Sequence, residues 1–103
     1  MKVIKKGFIY DIENFEDKTE TQRIHFIDKQ RSSDGSVSIL KDGTTNEELV
    51  KVLIDRIYAL DEKNPCVENL AAIQKLEEAL FWMGKRYINK KIRLSTKQKQ
   101  EID

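Results

Sequence analysis

Three side chains in this 103-residue sequence are candidates for binding a small anion or the edge of a base: Arg23, Asn69 and Arg86. Arginine holds a phosphate with its planar fork of N–H donors. Asparagine both donates and accepts hydrogen bonds, which suits the edge of a base. The alternative interpretation is structural: Asn69 is then a hydrogen-bonding residue of a first helical turn, and Arg86 a solvated cation.

The spacing of Asn69 and Arg86 constrains any shared ligand, because both fall within one predicted helix. A separation of 17 residues corresponds to about 25 Å along a helix axis and roughly 100° around it. One small ligand therefore cannot contact both residues within one subunit. An antiparallel helix pair across a two-fold axis would bring the start of one helix to the end of the other.

The remaining chemistry-bearing residues form no catalytic set. The sequence has one histidine, His25, and one cysteine, Cys66, so no ligand spacing for zinc is present. Its four glycines are too far apart for a phosphate-cradling loop. Glu77 and Glu78 are adjacent and point to different parts of a helix surface. We therefore predict a binding protein and not an enzyme, with no metal site and no cofactor.

Charge is distributed unevenly along the chain. Residues 1–83 carry 12 basic and 16 acidic groups, whereas residues 84–103 carry seven basic and two acidic groups. The C-terminal segment is either a solvated helix end or an anion-binding arm. The overall net charge of +1 argues against a generally polyanion-seeking protein.

The N-terminal part predicts a small antiparallel sheet over about residues 1–41. Alternating apolar residues indicate strands at 3–4, 8–10, 23–28 and 36–40, with a loop at 14–21. Gly7 is a candidate bulge, and Asp34-Gly35 is a turn signal.

The remainder predicts a helical hairpin over about residues 45–93. Thr45 and Glu48 fit a capping box, so a first helix should run over 46–60. Pro65 ends that region, and a second helix should begin near 66–68 and reach at least 88. The polar segment 95–103 is expected to fray. The predicted apolar stripes are Leu49, Val50, Leu53, Ile54, Ile57 and Leu60 in the first helix, and Ile73, Leu76, Leu80, Met83 and Tyr87 in the second.

Phe81 and Trp82 lie off the stripe that joins the two helices. Two large aromatic side chains outside the intrachain seam need another apolar surface. The sheet could cover one and a second subunit the other. We therefore expect a single α+β domain over 1–103 that forms oligomers.

An ordered series of motifs in the second half resembles the phage Thoeris anti-defence sponge family, and more loosely the anti-CBASS sponges that sequester cyclic oligonucleotides. The resemblance covers about residues 22–93, and its most specific part is Cys-x-Glu-Asn followed by Leu-Glu-Glu-Ala-Leu-x-Trp. The motifs are Thr45–Leu49, Leu53–Ile57, Pro65–Asn69, Ile73–Trp82 and Lys85-Arg86.

The resemblance implies a small α+β protein that assembles through dimers into a hexamer and captures glycocyclic ADP-ribose without cleaving it. It places a base-binding asparagine at Asn69, a phosphate-binding arginine at Arg86 and a strand arginine at Arg23. An aromatic residue that stacks on adenine falls near Tyr58 or Leu60, and Tyr87 stands where threonine is common. Lys90 and Arg93 match a basic series that implies a second pocket for cyclic di- or trinucleotides.

A second hypothesis is a small nucleic-acid-binding or regulatory oligomer that uses the basic C-terminal arm. Under either hypothesis we expect the host bacterial cytoplasm. The single cysteine suits a reducing compartment, and the sequence has no apolar run of the length that a membrane span needs.

Overall fold

The computed structural model describes the backbone of residues 1–102 and the side chains of residues 1–86. The chain divides into two compact units, Met1–Asn46 and Glu47–Asp103. The first contains strands and the second helices, which confirms the predicted α+β class. The elements are β1 (Lys2–Lys5), β2 (Ile9–Glu13), β3 (Thr21–His25), β4 (Asp28–Arg31), β5 (Val37–Lys41), α1 (Asn46–Lys63) and α2 (Val67–Ile102).

Strands β1, β2 and β3 form an antiparallel sheet in that order. Directly opposed residues share a face. The register of β2 with β3 places Asp11 opposite Arg23 on one face and Tyr10 opposite Ile24 on the other. The ring of Tyr10 meets that of Phe26 edge-on at 5.9 Å.

The prediction of one strand over 23–28 was wrong, because that segment belongs to two different sheets. β3 ends at His25, and β4 begins at Asp28 and pairs with β5 in a separate two-stranded sheet. β4 consists of Asp-Lys-Gln-Arg, so it has no apolar alternation by which it could be recognised. β4 is a strand only because its backbone pairs with that of β5.

Backbone hydrogen bonds tie the segment between β3 and β4 to the segment before α1. Thr44 N donates to His25 O at 2.8 Å, and Ile27 N donates to Thr44 O at 2.9 Å. The chains approach so closely that a Cβ at Gly43 would lie 2.6 Å from His25 O and 2.6 Å from Phe26 C. Only glycine fits this position without backbone movement.

The prediction of a bulge at Gly7 was also wrong. Gly7 has a φ of +84° in the turn between β1 and β2, and the irregular register falls between Val3 and Lys5. The Gly7 N–H donates to the Tyr10 hydroxyl at 2.9 Å, which closes the turn. A positive φ suits glycine because it has no Cβ.

Both helices begin close to their predicted residues. α1 starts immediately after Thr45, and it continues to Lys63, beyond the predicted end at residue 60, because Asp61, Glu62 and Lys63 are compatible with a helix. The backbone of α2 is helical from Val67 to Ile102, and fraying of the segment 95–103 stays a prediction. Within the residues searched, neither helix is long and apolar enough for a bilayer crossing.

The helical unit is held by one stripe of α2 and one of α1. Ile73 is 3% exposed and is the one apolar residue in the described part of the chain that is fully buried. Around it lie half-buried side chains at helical spacing: Leu49, Val50, Ile54 and Ile57 in α1, and Leu76, Leu80 and Met83 in α2. Leu53 and Leu60, which the sequence placed in the stripe, remain 46% and 41% exposed.

The turn between β4 and β5 is built on Asp34. Its carboxylate accepts hydrogen bonds from Ser36 N at 3.0 Å, from Ser36 Oγ at 2.7 Å and from the Ser32 hydroxyl. These bonds, with that of Ser32 the strongest, lower the pKa of Asp34 to about 2. Gly35 follows with a φ of +87°, which confirms the predicted Asp-Gly turn.

The contact at Gly43 leads to a stability prediction. Gly43→Ala should destabilise the fold by about 1–3 kcal/mol or more, because overpacked sites typically cost that much and the obstructing atoms here are backbone. As a matched control, Gly84 lies within α2 with nothing within 4 Å of an added Cβ. Gly84→Ala should leave stability unchanged or raise it by about 1 kcal/mol. Urea unfolding of both variants measures this, and equal midpoints would contradict the close approach.

The ionised carboxylate of Asp34 should stabilise the folded state less in acid. A carboxyl group whose pKa is lowered on folding stabilises the folded state at any pH above the pKa that it has in the unfolded chain. This contribution is lost as the pH falls to the pKa that the group has in the folded state. With the pKa lowered from 3.8 to about 2, the loss falls between about pH 4 and pH 2. Carboxyl ¹³C chemical shifts report the midpoint directly, and Asp34→Asn should remove the dependence. A midpoint near the ordinary value would contradict the assignment.

Candidate functional site

Arg23, predicted to bind a ligand, is engaged with a carboxylate of its own sheet. Its Nε donates to Asp11 Oδ1 at 2.7 Å and its Nη2 to Asp11 Oδ2 at 3.0 Å. This is the two-pronged geometry by which guanidinium recognises carboxylate. Asp11 is 9% exposed, and it is the one buried charged residue in the described part of the chain. The fork of Arg23 is therefore already occupied.

The pair stabilises the ionised form of both partners. Hydrogen bonds from Arg23 hold the pKa of Asp11 below its usual range, with further contributions from the charges of Arg23 and Lys2, while desolvation opposes them. The same hydrogen bonds raise the pKa of Arg23. The side chain of Arg23 is nevertheless 51% exposed, so a third group can still reach its outer edge.

At the bend of the helical hairpin, Asp61 joins the end of α1 to the start of α2. Its Oδ1 accepts from Cys66 N at 3.1 Å and from Asn69 Nδ2 at 3.4 Å. The N–H groups of a first helical turn have no partner within the helix, and a carboxylate there satisfies them. Asn69 thus has the structural role that was the alternative interpretation, yet its Oδ1 is left available.

The two positions predicted to stack on a base lie near the same bend. The Tyr58 hydroxyl donates to Glu77 Oε1 at 3.2 Å, and this bond raises the pKa of Tyr58 because it favours the protonated phenol. Tyr58 is 46% exposed and Leu60 is 41% exposed. Tyr58 is therefore tied by its hydroxyl to α2, and Leu60 has no aromatic ring.

Arg86 lies far along α2, and unlike Arg23 it has no acidic partner within residues 1–86. Among the described side chains, no carboxylate lies within 4.0 Å of Arg86 or Lys85, whereas Lys75 pairs with Glu78 at 3.9 Å one turn before Phe81. Both cations are exposed. The predicted residues Tyr87, Lys90 and Arg93 lie on α2 beyond the described side chains.

The structure brings some predicted residues together and separates others. The bend contains Tyr58, Leu60 and Asn69. Arg86 lies about 25 Å from Asn69 along α2.

Sequence reasoning missed Asp11 and Asp61, which hold Arg23 and Asn69. No local signal identifies them, because one contact depends on strand register and the other on the course of the bend. Within the residues searched, no group of three or more His, Cys, Asp or Glu could hold a metal ion.

Comparison with known proteins finds a similar phage protein. The chain is 47% identical over 45 residues to Thoeris anti-defense 1 of Bacillus phage SBSphiJ7. The match covers 43% of this chain and 32% of the phage protein, so it spans about a third of that relative. No protein-family profile and no solved structure matches. The resemblance to the Thoeris anti-defence family, indicated by the motifs of the second half, is thereby confirmed.

The Asp11–Arg23 pair should behave as one structural unit. Arg23→Ala leaves a buried carboxylate without its donors and should lower the melting temperature, and Asp11→Ala should do the same. The melting temperature of the double variant should fall by less than the sum of the decreases in the two single variants. Arg23→Lys should rescue only partly, because an ammonium cannot form the two parallel hydrogen bonds. Fully additive losses would show that the pair does not stabilise the sheet.

Proposed function

We propose that this chain is a phage anti-defence protein that binds and sequesters a cyclic ADP-ribose-type immune signal, glycocyclic ADP-ribose, in the host bacterial cytoplasm. Its similarity to Thoeris anti-defense 1 of a Bacillus phage supports the role. The observation that carries the proposal is the state of Arg86: exposed, and without a carboxylate among the described side chains. Such a guanidinium can give its whole fork to a phosphate.

The proposal includes a homo-oligomer in which two copies share each site. α2 carries both Asn69 and Arg86 without a break, so a compact nucleotide can contact both only if they come from different copies. An antiparallel pair of α2 helices satisfies this requirement, and a dimer-based hexamer is the assembly we expect. Apolar surface is available for such contacts, since Leu53, Leu70 and Phe81 are 46%, 54% and 63% exposed.

Asn69 is suited to the base of the ligand. Its Nδ2 is directed to Asp61, which orients the amide and leaves Oδ1 as an acceptor. An acceptor held in this way matches the exocyclic amine of adenine. The bond to Asp61 thus positions Asn69 for recognition and does not compete with it.

Capture alone explains the role without catalysis. A protein that removes a signal by binding it needs a slow off-rate and no chemical step. Enclosure between subunits, with charge-assisted contacts to phosphate, provides slow dissociation. Neither a cofactor nor a metal is required.

We further propose, on the resemblance alone, that Lys90 and Arg93 belong to a second pocket for cyclic di- or trinucleotides.

Lys85 and Arg86, which have no carboxylate partner in the part of the chain with described side chains, also suit a second candidate function, the binding of nucleic acid by the basic end of α2. A protein that neutralises backbone phosphates loses affinity steeply as salt rises. Capture of one small ligand involves fewer ion pairs, so its affinity should depend on salt much less. Gel-shift at low salt therefore separates the two functions.

Isothermal titration with glycocyclic ADP-ribose tests the proposed function. The chain should bind at micromolar concentration or below, and Arg86→Ala should weaken binding by about 2–4 kcal/mol because a desolvated phosphate loses its charged partner. Arg56→Ala is the matched control, since Arg56 is an exposed arginine of α1 outside the proposed site. Absence of binding by the unmodified chain would exclude the function, and equal affinities of the two variants would exclude the role of Arg86.

A further inference from the structure

One turn of α2 combines an exposed aromatic ring with two cations that have no carboxylate partner among the side chains of residues 1–86. Trp82 is 56% exposed, and Lys85 Nζ lies 4.9 Å from the centre of its ring. Phe81 meets Trp82 edge-on, with the ring centres 5.7 Å apart and an interplanar angle of 73°. Arg86 follows Trp82 by four residues, so the two lie on the same face of the helix. Trp82, Lys85 and Arg86 are called here the aromatic–cation cluster.

Two other lysines of the helical unit are paired with carboxylates. Lys51 pairs with Glu48 at 3.9 Å and Lys75 with Glu78 at 3.9 Å. Lys85 instead lies over an aromatic face, where the ring quadrupole attracts it. Within the described side chains the cluster thus offers a flat π-surface and positive charge with no carboxylate paired to it.

We infer that Trp82 is the platform on which the base of the ligand stacks, with Arg86 and Lys85 on its phosphates. This inference rests on the proposed function and names its aromatic contact. A nucleotide is the small anion that fits such a cluster, because it joins a planar ring to a phosphate. Stacking on an aromatic side chain contributes to base affinity whatever the identity of the base, and the neighbouring cations supply phosphate contacts.

The alternative platforms are less suitable. The end of α1 is where the resemblance implies a stacking aromatic residue, but Leu60 is aliphatic and the Tyr58 hydroxyl is bound to Glu77. Neither position has a cation described beside it in the way that Lys85 lies over Trp82. The aromatic contact therefore moves from the first helix to the second, next to the phosphate-binding Arg86.

The intrinsic fluorescence of Trp82, the single tryptophan of the sequence, reports on the site without any substitution. Glycocyclic ADP-ribose should quench this emission at the concentrations where calorimetry detects binding. Ribose 5-phosphate, which has no base, should not quench it. Binding seen by calorimetry with no change in Trp82 emission would overturn the inference while leaving the proposed function intact.

A matched pair of substitutions then compares the two helices. Trp82→Leu removes the indole ring but keeps an apolar side chain, and it should weaken binding by about tenfold or more. Trp82→Phe keeps an aromatic face and should stay within about threefold of the unmodified chain. Tyr58→Leu should weaken binding much less than Trp82→Leu does. Circular dichroism checks that each variant is folded. If Trp82→Leu does not fold, the fluorescence titration of the unmodified chain still tests the inference.

Three further outcomes have defined meanings. A loss of affinity in Tyr58→Leu, with none in Trp82→Leu, would place the platform on α1 and overturn the inference. A second outcome combines two observations: the Trp82→Phe variant loses its oligomeric mass, and iodide does not quench Trp82 in the unmodified chain. Together they would show that the ring is buried between subunits, and they would also overturn the inference. Absence of any binding by the unmodified chain would instead remove the proposed function, and the inference with it.

Discussion

The unbroken course of α2 sets the distance between the two residues that the family resemblance assigns to the ligand. A helix rises about 1.5 Å per residue, and no local adjustment within Val67–Ile102 brings Asn69 near Arg86 while the helix persists. A shared ligand therefore requires a second chain. Oligomerisation is therefore a condition of the proposed site, and the helical unit has exposed apolar side chains to which we propose that a second copy binds.

The two predicted arginines differ in what already holds them. Arg23 donates both prongs of its fork to a buried carboxylate, so its first role is to keep the three-stranded sheet electrostatically balanced. Arg86 is exposed and has no carboxylate within 4.0 Å among the described side chains. The fold thus occupies the guanidinium of Arg23, and the proposed ligand role rests on Arg86.

Neither unit buries much apolar surface. In the described part of the chain only Ile73 is fully buried among apolar residues, while Val37, Ile39 and Leu40 of β5 remain 53%, 59% and 60% exposed. A two-stranded sheet is marginally stable alone. Small domains commonly gain stability by association. The homo-oligomer proposed above would cover exposed apolar surface as well as complete the proposed site.

Local patterns identified much of the fold. The start of α1 follows from Thr45 and Glu48, its end near Pro65 follows from the missing N–H of proline, and the Asp34-Gly35 turn follows from the glycine conformation. These features depend on residues close in sequence. The strand β4 was missed because a charged tetrapeptide has no hydrophobic period, and its strand character comes only from pairing with β5.

The sequence by itself determined the fold class, the positions of the helices and the 17-residue interval between Asn69 and Arg86. The tertiary structure alone decided which of the candidate residues are already engaged. Register places Asp11 opposite Arg23, and the bend places Asp61 beside Asn69. Each contact joins residues on two different elements, and no local propensity encodes a contact that exists only when two elements come together.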